Sequence, residues 1–326
     1  MYSDNGKIVT MFKRPKSGIF FSLFLAVNVV VLLVNGVLLY KNYAGPTDAA
    51  AMQYPLLSKR IFSENQSDIL INFISLRQAM RNYAEPLGDS FGVYFEYLPS
   101  GVSIGVNDRK GVNIASLLKV PLVMAVYKQY EKGTLQKDQR LTIRNEDINT
   151  QYGTLWKRGV GATLSVQEAV TAALKDSDNT ASNVLLHALP NGSLNEVADY
   201  LDIPQEKEGK FIVISPKNYS SVLRSLHLSA FLARDSSNEI LTLLTKTQFT
   251  DQLQAGVPKD VPVAHKVGEY TVEGTTTPTV SDCGIVYVPN RPYILCIMTS
   301  ESRDVAAHHM SEVSKLVYDY VVSAKH

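Results

Sequence analysis

A chain of 326 residues exceeds the ~100–200 of a typical single domain, yet α/β folds with an inserted helical part often run this long as one unit. Lys plus Arg number 32 against 31 Asp plus Glu, a balance that argues against a nucleic-acid partner or a polybasic lipid-binding surface and for a small molecule or a wall polymer. Two cysteines, Cys283 and Cys296, are too few for a disulfide framework or a cysteine-type metal site.

Residues 19–40 are almost wholly apolar, 22 positions that match the ~20 a helix needs to span hydrocarbon. Lys7, Lys13, Arg14 and Lys16 precede them and Lys41 alone follows, so the positive-inside rule places residues 1–18 in the cytoplasm and the chain after Tyr40 outside. A secretory signal peptide is the rival reading, although its apolar core is typically ~7–15 residues and a possible cleavage run, Asp48 to Ala51, lies well downstream. Residues 41–66, rich in Ala, Pro, Ser, Asn and Tyr without a period, read as a linker. Residues 67–326 read as one domain.

Ser67 and Asp68 are placed to cap a helix whose apolar members Leu70, Phe73, Ile74 and Met80 face a core. Phe91 to Tyr97, a Pro99-Ser100-Gly101 turn and Val102 to Val106 form a β-hairpin. Then comes Ile114 to Pro121, where Ser116 and Lys119 stand nearly one helical turn apart. That spacing sets an ammonium over a hydroxyl, a nucleophile beside a base, at a helix N-terminus whose dipole favours developing negative charge. Alone the pair means little, since it turns up about once by chance in such a chain.

Leu164 to Glu168 start a further helix through Ala169, Val170, Ala173 and Leu174. Ser177-Asp178-Asn179 forms a polar knot before a helical run, where an N-cap is the simpler reading. Val263 to Gly268 is a strand bearing Lys266, followed by a glycine whose missing side chain would let a ligand lie against the backbone. The cysteines fall on an apparent hairpin, Ser281 to Val288 and Tyr293 to Ser300, whose four-residue loop makes them diagonal neighbours, so two thiols are expected. The last helix carries the stripe Met310, Val313, Val317 and Tyr320. The six histidines lack His-Glu-x-x-His spacing, and His265, His308 and His309 read as surface or packing residues.

Ser-x-x-Lys at 116–119, Ser-Asp-Asn at 177–179 and Lys-Val-Gly at 266–268 follow one another 61 and 89 residues apart. In that order the chain resembles the penicillin-recognising serine hydrolases, closest to the class A β-lactamase branch, from about residue 67 to the C-terminus. The strings around Ser177-Asp178-Asn179 and Asp282 to Tyr287 look like that branch as well. The resemblance implies an α/β (α+β) fold: an antiparallel five-stranded sheet flanked by helices plus a helical subdomain, here preceded by one transmembrane helix.

It also implies roles. Ser116 would attack a carbonyl to form an acyl-enzyme, with Lys119 as the proton acceptor and Ser177 as the relay to the leaving nitrogen. Asn179 would hold Lys119 and the substrate amide, and Lys266 would face the substrate carboxylate. The N–H groups of Ser116 and Glu269, beside Gly268, would form the oxyanion hole. No cofactor or metal is called for.

Three departures stand out. Val267 occupies the middle of the third motif, where the family has a hydroxyl, removing a hydrogen bond of ~1–3 kcal/mol to the substrate carboxylate. Glu269 adds a negative side chain to that strand, which alternation could turn away from the site. The Glu-x-x-Leu-Asn stretch that activates deacylating water is absent, and Glu196, Asp199, Asp202, Glu206 and Glu208, the carboxylates between Asn179 and Pro216, do not sit in that pattern. The expectation is a membrane-anchored extracytoplasmic serine hydrolase acting on β-lactams or D-alanyl wall peptides with slow deacylation. The alternative is a non-catalytic module binding wall peptide or a partner protein.

Overall fold

The computed structural model describes residues 25–37, 54–58, 71–204, 206–208, 211–271 and 278–324. Residues 25–37 are helical and exposed, within a unit spanning Met1–Gln53; Tyr54–His326 form a second unit. Among the described residues no helix is long and apolar enough to cross a membrane. The rest of the expected span, residues 19–24 and 38–40, lies outside the described residues, as do residues 1–18 and Ser67, Asp68 and Leu70.

The second unit begins with α1 (Ile74–Ala84), β1 (Phe91–Tyr97), β2 (Val102–Val106) and β3 (Val112–Asn113). A 3₁₀ turn, Ala115–Leu118, then feeds α2 (Lys119–Glu131). A helical lobe follows: β4 (Arg140–Thr142), β5 (Thr163–Ser165), α3 (Val166–Lys175), α4 (Asn179–Ala188) and α5 (Ser193–Tyr200). The chain continues with β6 (Glu206–Glu208), β7 (Phe211–Ile214), α6 (Pro216–Leu228) and α7 (Arg234–Leu244). It closes with β8 (Val263–Thr271), β9 (Pro278–Val286), β10 (Tyr293–Thr299) and α8 (Arg303–Ser323).

Strand alternation explains the layering. The sheet runs β2-β1-β10-β9-β8, antiparallel throughout, and every residue of central β10 is buried because both faces are covered. Tyr293, Leu295 and Ile297 pack with the stripes of α1 and α8, while Ile294, Cys296 and Met298 join the core of the helical lobe. β8 is left as an edge, and the lobe's active elements lie against it.

Local signals account for most boundaries. Ser165 Oγ accepts from Glu168 N at 3.0 Å and Glu168 Oε2 accepts from Ser165 N at 2.6 Å, a capping box that starts α3. α1 corrects one expectation. It begins at Ile74, so Phe73 stands before it and packs on Phe95 and Tyr97. Ile74 turns to solvent at 74% exposure, and the buried stripe is Leu76, Met80 and Ala84.

The expected pair of thiols is also corrected: Cys283 and Cys296 form a disulfide. β9 ends at Val286, and the chain then turns: Asn290 takes a left-handed conformation in a turn closed by Arg291 N on Val288 O at 2.9 Å. The connection is therefore six residues long, Val286 faces Tyr293, and the two cysteines stand directly opposite one another.

Residues 54–58, expected in the linker, are part of the second unit and pack into it. Leu56 and Leu57 are buried, Ser58 N donates to His227 O at 2.8 Å, and Leu56 O meets His227 Nδ1 at 3.0 Å and Tyr287 Oη at 2.9 Å.

Candidate active site

The nucleophile turn is pinned from three sides. Ala115 N donates to Asn113 Oδ1 at 2.8 Å, Ile114 N to Ile212 O at 3.0 Å, and Tyr219 Oη to Leu117 O at 3.0 Å. These bonds hold Ala115 at φ 44°, a left-handed conformation that a β-carbon disfavours, immediately before Ser116. Gly268 presses against the same turn. A Cβ there would lie 3.2 Å from Leu117 Cγ and 3.3 Å from Ile114 O, so the missing side chain accommodates the nucleophile turn itself, not a ligand as the sequence led us to expect.

Ser116 with Lys119, Ser177 with Asn179, and Lys266, three stretches far apart in sequence, meet in one hydrogen-bonded cluster. Lys119 Nζ lies 2.8 Å from Ser116 Oγ, 2.8 Å from Ser177 O, 3.1 Å from Ser177 Oγ and 2.6 Å from Asn179 Oδ1. Lys266 Nζ reaches the same Ser177 Oγ at 2.8 Å and Val267 O at 2.9 Å. One hydroxyl thus sits between two lysines, each almost wholly buried. Burial lowers both. Lys119 falls to about 8, against a smaller opposing pull from Asp178, which leaves roughly one molecule in ten with a free amine at pH 7. Lys266 goes well below its ordinary value, through burial first and then the neighbouring charge of Lys119.

Asp178 acts as the helix cap that the sequence also allowed. Its Oδ1 accepts from Ala181 N at 2.8 Å at the start of α4, while Oδ2 accepts from Thr154 N at 2.7 Å and Leu155 N at 2.8 Å. The carboxylate therefore ties the Ser177-Asp178-Asn179 knot to the loop at residues 152–155. Gly153 makes this possible: at φ 84° a Cβ would fall 2.0 Å from Asp178 Oδ2. The same bracing holds Ser177 at φ 54°. Asn179 Nδ2 donates to Asn149 Oδ1 at 3.0 Å, which fixes the amide with its oxygen toward Lys119.

The β8 edge forms the opposite wall. Because Val267 O accepts from the lysine ammonium, its main chain points off the sheet, and alternation gives Glu269 N–H the same outward direction. Val267 is buried and carries no polar group. The Glu269 side chain, which alternation could have turned away, reaches across the cleft: Oε2 accepts from Tyr152 Oη at 3.0 Å and pairs with Arg303 Nε at 3.4 Å. Arg303 also pairs with Asp251 at 2.9 Å. Of the five carboxylates between Asn179 and Pro216, Glu196 pairs on the surface with Lys132, and Glu206 and Glu208 fall on β6, joined through β7 to β3.

Sequence reasoning missed Tyr152, Asn149, Tyr219, Asp251 and Arg303. Only the glycine after Tyr152 hinted at a constrained loop. Among the described residues no group of three or more His, Cys, Asp or Glu side chains could hold a metal ion.

The β-lactamase enzyme family model matches residues 75–321. The chain is 21% identical over 246 residues to β-lactamase VEB-1 of Pseudomonas aeruginosa, covering 68% of this chain and 82% of that one. Its fold is similar to the structure of PBP-A, with TM-score 0.69 and 24% identity over 76% of this chain and 95% of that chain. A mutant of PBP-A solved as an acyl-enzyme complex with penicillin G aligns with TM-score 0.68 and 24% identity, covering 75% and 95%. With that family match spanning both walls of the cleft, the chain belongs to the β-lactamase enzyme family and is a serine hydrolase related to the class A β-lactamases.

Proposed function

We propose that this hydrolase acts outside the membrane, tethered by residues 19–40, and forms an acyl-enzyme at Ser116 with β-lactams or D-alanyl wall peptides. The observation that carries the chemistry is Ser116 Oγ at 2.8 Å from an amine whose pKa is held near 8. The free-base form of Lys119 takes the Ser116 proton as Oγ adds to the carbonyl carbon. The resulting oxyanion is met by the N–H groups of Ser116 and Glu269. When the C–N bond breaks, Ser177 gives its proton to the nitrogen and recovers one from the lysines that share its oxygen.

For deacylation, the sequence lacks the Glu-x-x-Leu-Asn stretch that would position a base for water. Asp178, the carboxylate nearest the cluster in sequence, spends its oxygens on three backbone N–H groups. General-base assistance typically contributes ~10²–10⁴ in rate, so the acyl-enzyme outlasts its formation. Incubated with a penicillin, the protein should gain one ligand mass while Ser116→Ala gains none, and a chromogenic β-lactam should give a burst followed by slow turnover. An adduct surviving in the alanine variant would remove Ser116 from its role, and steady turnover without a burst would point to a working deacylation base.

The tether rests on the apolar run with its basic flank, and the Cys283–Cys296 bond fits an oxidising compartment. Protease added to intact cells should trim the domain and leave a membrane-bound fragment; full-length protein in the soluble cytosol contradicts the tether.

A further inference from the structure

The acyl-enzyme reading gives the cleft a direction. Ser177, the proton source for the leaving nitrogen, lies at the Lys266 end of β8. The leaving half of a substrate therefore occupies that end, and the acyl half extends the other way along the edge, past Gly268 to Glu269. There the two walls are joined by one carboxylate. Tyr152 belongs to the opposite wall, since its carbonyl accepts from Asn179 N at 3.2 Å, and its hydroxyl crosses to Glu269.

The charges at the two ends differ in sign. The inner end holds Lys119 and Lys266. At the outer end Glu269 and Asp251 share the single guanidinium of Arg303. Tyr152 stays a neutral donor there, its pKa pushed up to about 12 by burial and by Glu269. Among these described groups the outer end carries one uncompensated negative charge. Val267 sharpens the contrast, because the hydroxyl that would add a bond at the inner end is missing.

We infer that Glu269 is a specificity-determining residue that selects substrates with a cationic substituent on the acyl half, the ammonium displacing the Tyr152 hydroxyl from the carboxylate. A substituent of the opposite sign meets Glu269 directly and is disfavoured. This inference rests on the acyl-enzyme reading above and names which substrates that site prefers.

The test uses the full chain and three penicillins with the same benzylic side chain: benzylpenicillin, uncharged; ampicillin, with an ammonium on the α-carbon; and carbenicillin, with a carboxylate there. Second-order acylation rates are read by intact mass or stopped flow. Ampicillin should lead carbenicillin by about tenfold at low ionic strength, with benzylpenicillin between, and the spread should narrow at high salt. Glu269→Gln should bring the ratio below about twofold, and Glu269→Lys should reverse the order. Equal rates in the parent protein, or an unchanged ratio in a folded Glu269→Gln variant, overturn the inference and leave the acyl-enzyme reading standing. If the variants do not fold, the order and salt dependence in the parent protein decide. Absence of adduct with all three penicillins overturns both.

Discussion

The floor and the mouth of the cleft are built on different terms. At the floor, Ser116, Lys119, Ser177 and Lys266 are braced by bonds between elements distant in sequence, and Asp178 and Asn179 bring their own partners. At the mouth, Glu269 is held by a phenol and a shared guanidinium, with a side chain 24% exposed. Fixed protein contacts dictate the floor, so its residues have little freedom to differ. The mouth is closed by bonds a substrate can replace. The floor is thus set by the protein's own contacts, while the mouth can rearrange around a substrate.

The largest expected effect breaks the floor. Lys119→Ala removes the proposed proton acceptor and one of the two amines on Ser177, and acylation by benzylpenicillin should fall by ~10²–10⁴ in stopped-flow measurements. A loss of under about tenfold would assign the base elsewhere.

pH sharpens the same region. Lys119 must lose its proton to act, and burial has lowered its pKa to about 8. Acylation should therefore rise with pH, by roughly tenfold per unit from pH 6, and level off above about 8. A flat profile over that range, or one falling as pH rises, would exclude the neutral amine as the base.

The smallest change is on the β8 wall beside the floor. Val267→Thr restores a hydroxyl facing the inner end and should raise the acylation rate by about tenfold, the worth of one hydrogen bond to a carboxylate, with the burst amplitude unchanged. A rate unmoved in a variant with the parent melting temperature would mean that the carboxylate is held by Lys266 alone.

Local pattern made the floor legible. Ser116 and Lys119 are one turn apart, and Ser177-Asp178-Asn179 and Lys266 follow in order, so the reactive groups were visible before any contact was known. The β1–β2 hairpin and the start of α3 were likewise readable, because turn and cap chemistry act over a few residues. What stayed hidden depends on contacts distant in sequence. The disulfide required knowing that β9 and β10 stop pairing at Val286 and Tyr293, a six-residue connection where the sequence suggested four, which sets Cys283 directly opposite Cys296. Leu56 and Leu57 looked like linker because their partners, His227 and Tyr287, lie far along the chain. Glu269 could not be aimed from alternation, since on an edge strand a long side chain reaches past the sheet toward whatever the facing loop offers.

Ala115 and Ser177 adopt left-handed backbone at the two hydroxyl-bearing turns, each at a conformational cost of ~1–3 kcal/mol for a residue with a β-carbon. Together they consume a sizeable share of a net stability of ~5–15 kcal/mol. The surrounding helices and sheet must therefore supply a surplus of cohesion for the catalytic turns to persist. Cutting a brace, as in Asn113→Ala or Tyr219→Phe, is therefore expected to slow acylation before it melts the helices.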